Sequence, residues 1–328
     1  MERPIFSRTE SSQHVETYLK PYGDIELQRR MVSDRPRTNA FAAAIQEVVQ
    51  PGHAVLDIGT GTGILAMLSA KAGAARVTAI EVTDIAEVAR HLVKVNGLAD
   101  RVDVQRRRAS TLQLDHQVDV LISEWIGNGV FSEGMLHAVL EARDRHLAPG
   151  GRMLPAGVRV LMAPLDDAVM YHSEGPGFWR EPIHGLDFSS IQESELNQGR
   201  SVQVKLDPAA LLAPPQCILE LDMHAATIED VWYKGPYEFT AARDGVLSGF
   251  GLWFEAQLSP SVLLDTSPFC PETHWAQTYI PFFTQPVRRG ERVSAEIQFS
   301  YDPDVEDIRR YVDMRIRIGD HEIDFEIE

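Results

Sequence analysis

A chain of 328 residues is too long for one small domain and long enough for two, each able to bury a core of its own. Its formal net charge of −17 argues against an electrostatic grip on nucleic acid or on an anionic membrane, while 44% hydrophobic and 24% charged residues are ordinary for a soluble globular protein. Two cysteines far apart, Cys217 and Cys270, with no CxxC, exclude a disulfide framework and point away from zinc. The opening MERPIFSRTESS lacks an apolar signal region, and the most apolar later stretch is broken by Lys71 and Arg76. A cytoplasmic location without a membrane span is therefore expected. The excess of 26 arginines over 5 lysines resembles a GC-rich coding sequence, from which a bacterial source is expected.

In chain order, AVLDI (54–58) reads as a buried strand, and ILAMLSAKAG as a helix closed by Gly73. RVTAIEV is the next strand, followed by DIAEVARHLVKVNG, a helix with an Asn-Gly stop. VDVQ and VDVLISEW are further strands, and MLHAVLEARDRHLAPGG is a helix ended by a Pro-Gly-Gly break. This alternation predicts a doubly wound, mainly parallel sheet. After Pro155 the period changes to two. VSAEIQFSY sets Val293, Ala295, Ile297 and Phe299 on one face, and RYVDMRIRI repeats the pattern with Val312, Met314, Ile316 and Ile318. Arg243-Asp244-Gly245 marks a turn ahead of an apolar run. The second half is thus an antiparallel sheet or barrel, irregular from about 165 to 200.

VLDIGTGTGI places Gly59, Gly61 and Gly63 between the first strand and its helix, where bare backbone lets a cofactor approach. The dinucleotide fingerprint needs glycine at position 64, which is Ile64, so a dehydrogenase is disfavoured. Glu81, ending the second strand, is placed to accept both ribose hydroxyls. Asp57 adds negative charge beside the loop, which suits a cationic sulfonium better than a pyrophosphate. The pattern reads as an S-adenosyl-L-methionine site.

SEWIGNGVFSEGML (123–136) holds Glu124 and Glu133 in an apolar loop at the carboxyl edge of the sheet, with Gly127 and Gly129 permitting a hairpin between them. Two carboxylates brought together repel unless a cation sits between them. Guanidinium, a planar fork of five donors, meets that demand.

SEWIGNGVFSEGML resembles the double-glutamate loop of the protein arginine methyltransferases. YLKPY (18–22) resembles that family's N-terminal aromatic helix, MVSDRPRT (31–38) its M-x-x-D-x-x-R-T segment, and THW (273–275) its substrate loop. The resemblance implies N-terminal helices over residues 1–50 covering the cofactor and a Rossmann-like domain over 51–155. It implies a β-barrel substrate domain over 156–328, with a dimerisation arm at about 165–195 that makes a homodimer. GFWREPIHGLDFSSIQ (177–192) lies at the arm.

By position, the resemblance assigns Arg37 to the cofactor's carboxylate, Glu81 to its ribose, and Glu124 and Glu133 to the substrate guanidinium. Asp34 and His274 form an ion pair near the pocket, Trp275 walls the substrate channel, Tyr22 in the covering helix binds the substrate, and Met31 and Met135 crowd the target nitrogen. Three departures are visible. Leu19 replaces a phenylalanine, and Ser110 stands where the family sets an acid against the adenine amino group. A third is Arg29 and Arg30, which precede Met31 where many members carry two acids.

A protonated guanidinium is a poor nucleophile, so two carboxylates biasing its charge and aiming its terminal nitrogen supply the catalysis. Glu133 or the Asp34–His274 pair accepts the proton afterwards. The positive doublet favours the α-carboxylate of free L-arginine, in a biosynthetic role. Arginine within a polypeptide is the alternative substrate, and an inactive methyltransferase-like scaffold a second alternative. No metal site is expected.

Overall fold

The computed structural model describes residues 23–127, 135–231, 233–301 and 312–326. Helix α1 (Ile25–Ser33) starts at Asp24, whose carboxylate accepts from the Glu26 amide, and stops at Asp34. Asp34 then serves as the N-cap of α2 (Arg35–Val48), accepting from the Arg37 amide at 3.0 Å. Proline in the first turn of α2 suits that position, since its missing N–H has no helical partner there.

Five strands follow: β1 (Ala54–Ile58), β2 (Arg76–Glu81), β3 (Val102–Arg106), β4 (Val118–Ile122) and β5 (Leu147–Leu154). They form one parallel sheet in the order β3-β2-β1-β4-β5. Helices α3 (Ile64–Ala72), α4 (Ile85–Val95) and α5 (Leu136–His146) connect them. Gly73 closes α3 in the left-handed region at φ 116°, as its position predicts. The Pro-Gly-Gly segment departs from expectation, because it lies inside β5 rather than after a break. Val118 pairs with Leu147 and Val120 with Arg152, so residues 148–151 bulge out of the ladder around Gly150 at φ 78°. Proline has no N–H for the ladder, and the bulge removes the need for one.

The change to antiparallel pairing falls between Leu154 and β6 (Gly157–Leu165). Two short helices, α6 (Ala168–Ser173) and α7 (Ile191–Leu196), and a 3₁₀ turn at Pro176–Arg180 follow. The remaining strands are β7 (Val202–Val204), β8 (Gln216–Asp222), β9 (Tyr233–Thr240), β10 (Gly245–Ser259), β11 (Val262–Asp265), β12 (Gln277–Val287), β13 (Arg292–Tyr301), β14 (Val312–Ile318) and β15 (His321–Glu326). One sheet runs β7-β12-β10-β6-β8 with β11 on β10, and the other runs β15-β14-β13-β9. Their inner faces meet in a barrel-like layer pair: Tyr237 on β9 stands edge-on to Phe250 on β10 and donates to the Met162 carbonyl on β6 at 2.8 Å. Val293, Ala295, Ile297 and Phe299 are buried as their alternation predicts.

The two halves were expected to carry separate cores, yet one apolar cluster runs from Val55 and Leu121 in the parallel sheet to Ile316 and Phe325 in the last strands. Helix α2 is the bridge. Phe41 is fully buried, and Glu47 accepts from the Ser259 and Ser261 hydroxyls at 2.6 and 2.5 Å. Helix α2 is thereby fixed to the barrel, and its Arg37 is bonded to Glu124 beyond the end of β4.

Candidate active site

The sheet order reverses between β1 and β4, and ligands of such sheets bind at the carboxyl ends of those strands. There the chain turns through Gly59, Gly61 and Gly63, all left-handed at φ 70°, 55° and 82°. Side chains other than glycine adopt such angles at a cost, which explains the residue choice. The Gly59 and Thr60 amides both donate to the Ile80 carbonyl at 3.0 Å, and the Gly61 amide donates to Glu81 Oε2 at 3.1 Å. Glu81 Oε1 accepts from the Val82 amide, the Thr83 amide and the Thr83 hydroxyl at 2.8, 2.9 and 3.0 Å. Glu81 is thus a buried carboxylate that fastens the glycine loop to the end of β2 while facing the cavity.

A cavity of about 320 Å³ opens over this loop. A Cβ on Gly59 would lie 2.7 Å from Met135 Cε, and one on Gly61 would lie 2.7 Å from Gln28 Oε1. Both glycines, Met31, Met135, Glu81, Arg37, Glu124 and Ser110 line the cavity. Two residues expected at the cofactor do not. Gly63 caps α3 and faces α4, with Ala89 Cβ 3.5 Å from a Cβ placed there, so it serves helix packing. Asp57 is fully buried beneath the loop and accepts from the Thr60 hydroxyl at 2.5 Å. Burial pushes its carboxyl up to about 7, against the Thr60 bond, with Glu81 adding repulsion. It lies beneath the loop and outside the cavity lining, so it offers no direct contact to a sulfonium.

Glu124 lies just beyond β4, whose end is tied to β1 by the Ser123 hydroxyl on the Ile58 carbonyl at 2.9 Å. Its Oε1 accepts from the Ile126 amide at 3.1 Å. Its Oε2 accepts from Arg37 Nε and NH2 at 3.1 and 2.8 Å, both side chains being buried. A buried pair of opposite charges persists only when so fully hydrogen-bonded. Glu133, Gly129 and Tyr22 lie outside the described residues, as do Leu19 and the YLKPY segment.

Asp34 Oδ2 accepts from the His274 amide at 2.8 Å and pairs with its Nδ1 at 2.7 Å. Burial works to raise the Asp34 pKa, but the hydrogen bonds from His274 and the Arg37 amide outweigh it and hold it below the usual carboxylate value. This pair joins the α1–α2 corner to the THW loop and does not line the cavity. Trp275 is 3% exposed, edge-on to Phe254, and its Nε1 donates to the Ile126 carbonyl at 2.5 Å. It braces the backbone next to Glu124 instead of walling the cavity.

Arg30 NH2 donates to the His274 carbonyl at 3.1 Å, and Arg29 is exposed. Neither lines the cavity. Sequence reasoning missed the opposite wall, formed by Arg107, Arg108 and the α5 residues His137, Ala138 and Glu141. The spacing 137, 138, 141 on a predicted helix was the available signal, since such positions share one face.

Residues 159–318 match the family model described as the arginine methyltransferase oligomerization subdomain, and residues 34–160 match that of ribosomal protein L11 methyltransferase. Protein arginine N-methyltransferase 6 of Xenopus laevis is 33% identical over 307 residues, which cover 90% of this chain and 86% of that protein. Protein arginine N-methyltransferase 1 of Schizosaccharomyces pombe is 34% identical over 292 residues, covering 85% and 83%. Among solved structures, the Trypanosoma brucei PRMT1 enzyme–prozyme heterotetrameric complex with AdoHcy matches with a TM-score of 0.85 at 26% identity, over 94% of this chain and 99% of that one. PRMT6 with SAH matches at 0.75 and 26%, over 90% and 100%. These named relatives with a stated source are eukaryotic and lend the expected bacterial source no support. With a third of its residues shared along nearly its whole length, this chain belongs to the protein arginine N-methyltransferase family.

Proposed function

We propose that the protein is an S-adenosyl-L-methionine-dependent methyltransferase acting on a terminal guanidino nitrogen of arginine within polypeptides, as a homodimer. The observation that carries this reading is Glu124, a carboxylate at the sheet's switch point that already accepts a guanidinium through two nitrogens. The cofactor fits the residues present: the bare backbone at Gly59 and Gly61 forms a floor that any side chain would fill, and Glu81 stands at the ribose position. When bound, it supplies a methyl group on a positively charged sulfur. Arg37 is the buried cation able to meet its carboxylate. Glu124 then orients the substrate guanidinium and draws its charge away from the attacking nitrogen. Met31 and Met135 narrow the space at that end of the cavity.

Free L-arginine was the expected substrate because of Arg29 and Arg30, and the geometry withdraws that support. Arg30 is spent on the His274 carbonyl, and neither arginine reaches the cavity. The relatives are named as protein methyltransferases, and a net charge of −17 suits basic polypeptide segments. Mass spectrometry of reactions with free L-arginine and with an Arg-Gly peptide decides the matter. The peptide is expected to gain methyl groups; methylation of free arginine alone would overturn this reading.

A further inference from the structure

Among the described residues three carboxylates line the cavity, and two have work already described. Glu124 is engaged by Arg37, and Glu81 holds Gly61, Val82 and Thr83. The third, Glu141, stands on α5 at the far end, where Ala109 and Ser110 also line the wall. Its Oε1 accepts from Arg145 NH1 at 3.1 Å. The same nitrogen donates to the Ser110 carbonyl at 3.0 Å, and Arg145 NH2 donates to the Leu112 carbonyl at 2.9 Å. One guanidinium thus fixes a carboxylate and the loop after β3 to each other. A plain helix-surface pair four residues apart contributes little to stability. It needs neither the loop anchors nor a place in a cavity wall.

In a sheet of this order the acid ending β2 marks the ribose, so the base of a nucleoside cofactor falls toward the end of β3. An exocyclic adenine amino group donates hydrogen bonds, and the Arg107 and Arg108 guanidinium groups there cannot accept them. Among the described residues Glu141 is the carboxylate at that end, and its Oε2 accepts no hydrogen bond from them. We propose that Glu141 reads the adenine base by accepting from its exocyclic amino group, with Arg145 as the positioning residue. This inference rests on the S-adenosyl-L-methionine reading above.

Titration calorimetry tests it without turnover, comparing S-adenosylhomocysteine with S-inosylhomocysteine, which carries a carbonyl in place of the amino group. The wild-type protein is expected to prefer the adenosyl ligand by about tenfold, the scale of a partly exposed hydrogen bond to a charged acceptor. Glu141→Ala should bind both ligands alike, and Glu141→Gln, which keeps a carbonyl acceptor, should restore part of the preference. Thermal unfolding checks that the variants fold. A wild-type ratio retained in Glu141→Ala overturns the proposal, and so does equal weakening for both ligands, which would make Glu141 a brace for the loop. A wild-type protein that binds neither ligand overturns the cofactor reading itself, and this inference with it.

Discussion

Glu124 accepts from Arg37 at one oxygen and from the Ile126 amide at the other, so its position is set from both sides. Glu124→Gln keeps the shape and removes the charge that a bound guanidinium needs. Turnover is expected to fall roughly 10²-fold or more, on the scale of other lost electrostatic stabilisers. Calorimetric binding of S-adenosylhomocysteine should change little, and near wild-type turnover would end the assignment. Asp57 gives a different kind of test. Its folded pKa of about 7 stands above the ordinary aspartate value of 3.8, so its contribution to stability is complete below about pH 4. That contribution is lost as pH rises toward 7, where the folded protein must hold a buried ionised carboxylate. Asp57→Asn cannot ionise, and its amide oxygen still accepts from Thr60. The Tm of the wild type relative to Asp57→Asn should therefore drop between pH 4 and 7 and level off above; a pH-independent difference would refute the shift. These two carboxylates also show what the sequence conveys. Glu124 is legible because a charged residue in an apolar loop needs a partner. Asp57 was misplaced because strand position alone does not say whether a side chain faces a ligand or the layer beneath.

At the scale of elements, strands and helices of regular period were readable, while the features that break period were not. The alternation of β13 is repeated in its burial, and Gly73 stops α3 where a stop was expected. The bulge in β5 escaped because Pro-Gly-Gly signals a break equally well in a loop or beside a ladder. The α5 wall of the cavity escaped because a helix face becomes a binding surface only through what packs opposite it. The glycine loop lies between these cases, and its three glycines separate on substitution. Gly61→Val puts a branched residue at φ 55° and its Cβ 2.7 Å from Gln28 Oε1, at the cavity floor. S-adenosylhomocysteine affinity should fall by well over tenfold, with a stability loss of about 1–2 kcal/mol for the left-handed backbone. Gly63→Ala carries similar strain away from the cavity, with only ordinary contact to Ala89, and should cost stability while leaving most of the affinity. Equal ligand binding by Gly61→Val and the wild type would remove the loop from the site.

At the scale of the whole molecule, the segment between β6 and β7 exposes more apolar surface than its size warrants. Val169, Phe178, Leu186 and Ile191 are 78%, 45%, 62% and 37% exposed. The segment is nonetheless ordered from within. Trp179 stands edge-on to Phe178 at 5.0 Å and lies 6.3 Å from Phe188, and Arg180 NH2 donates to the Thr284 hydroxyl on β12 at 2.9 Å. An internally packed element that leaves large apolar side chains outward is the form expected of a contact surface. It lies within residues 159–318, the span matching the oligomerization subdomain. Its proposed role as a dimerisation arm predicts a dimer for the wild type by light scattering. Deleting about residues 177–191 should give a monomer with lower activity. Because that deletion also removes the Trp179–Phe188 packing, Leu186→Asp together with Ile191→Asp is the milder test, placing charges in the proposed interface while leaving the aromatic cluster intact. The double variant should be a folded monomer with an unchanged circular dichroism spectrum, and a monomeric wild-type protein would sink the arm assignment outright.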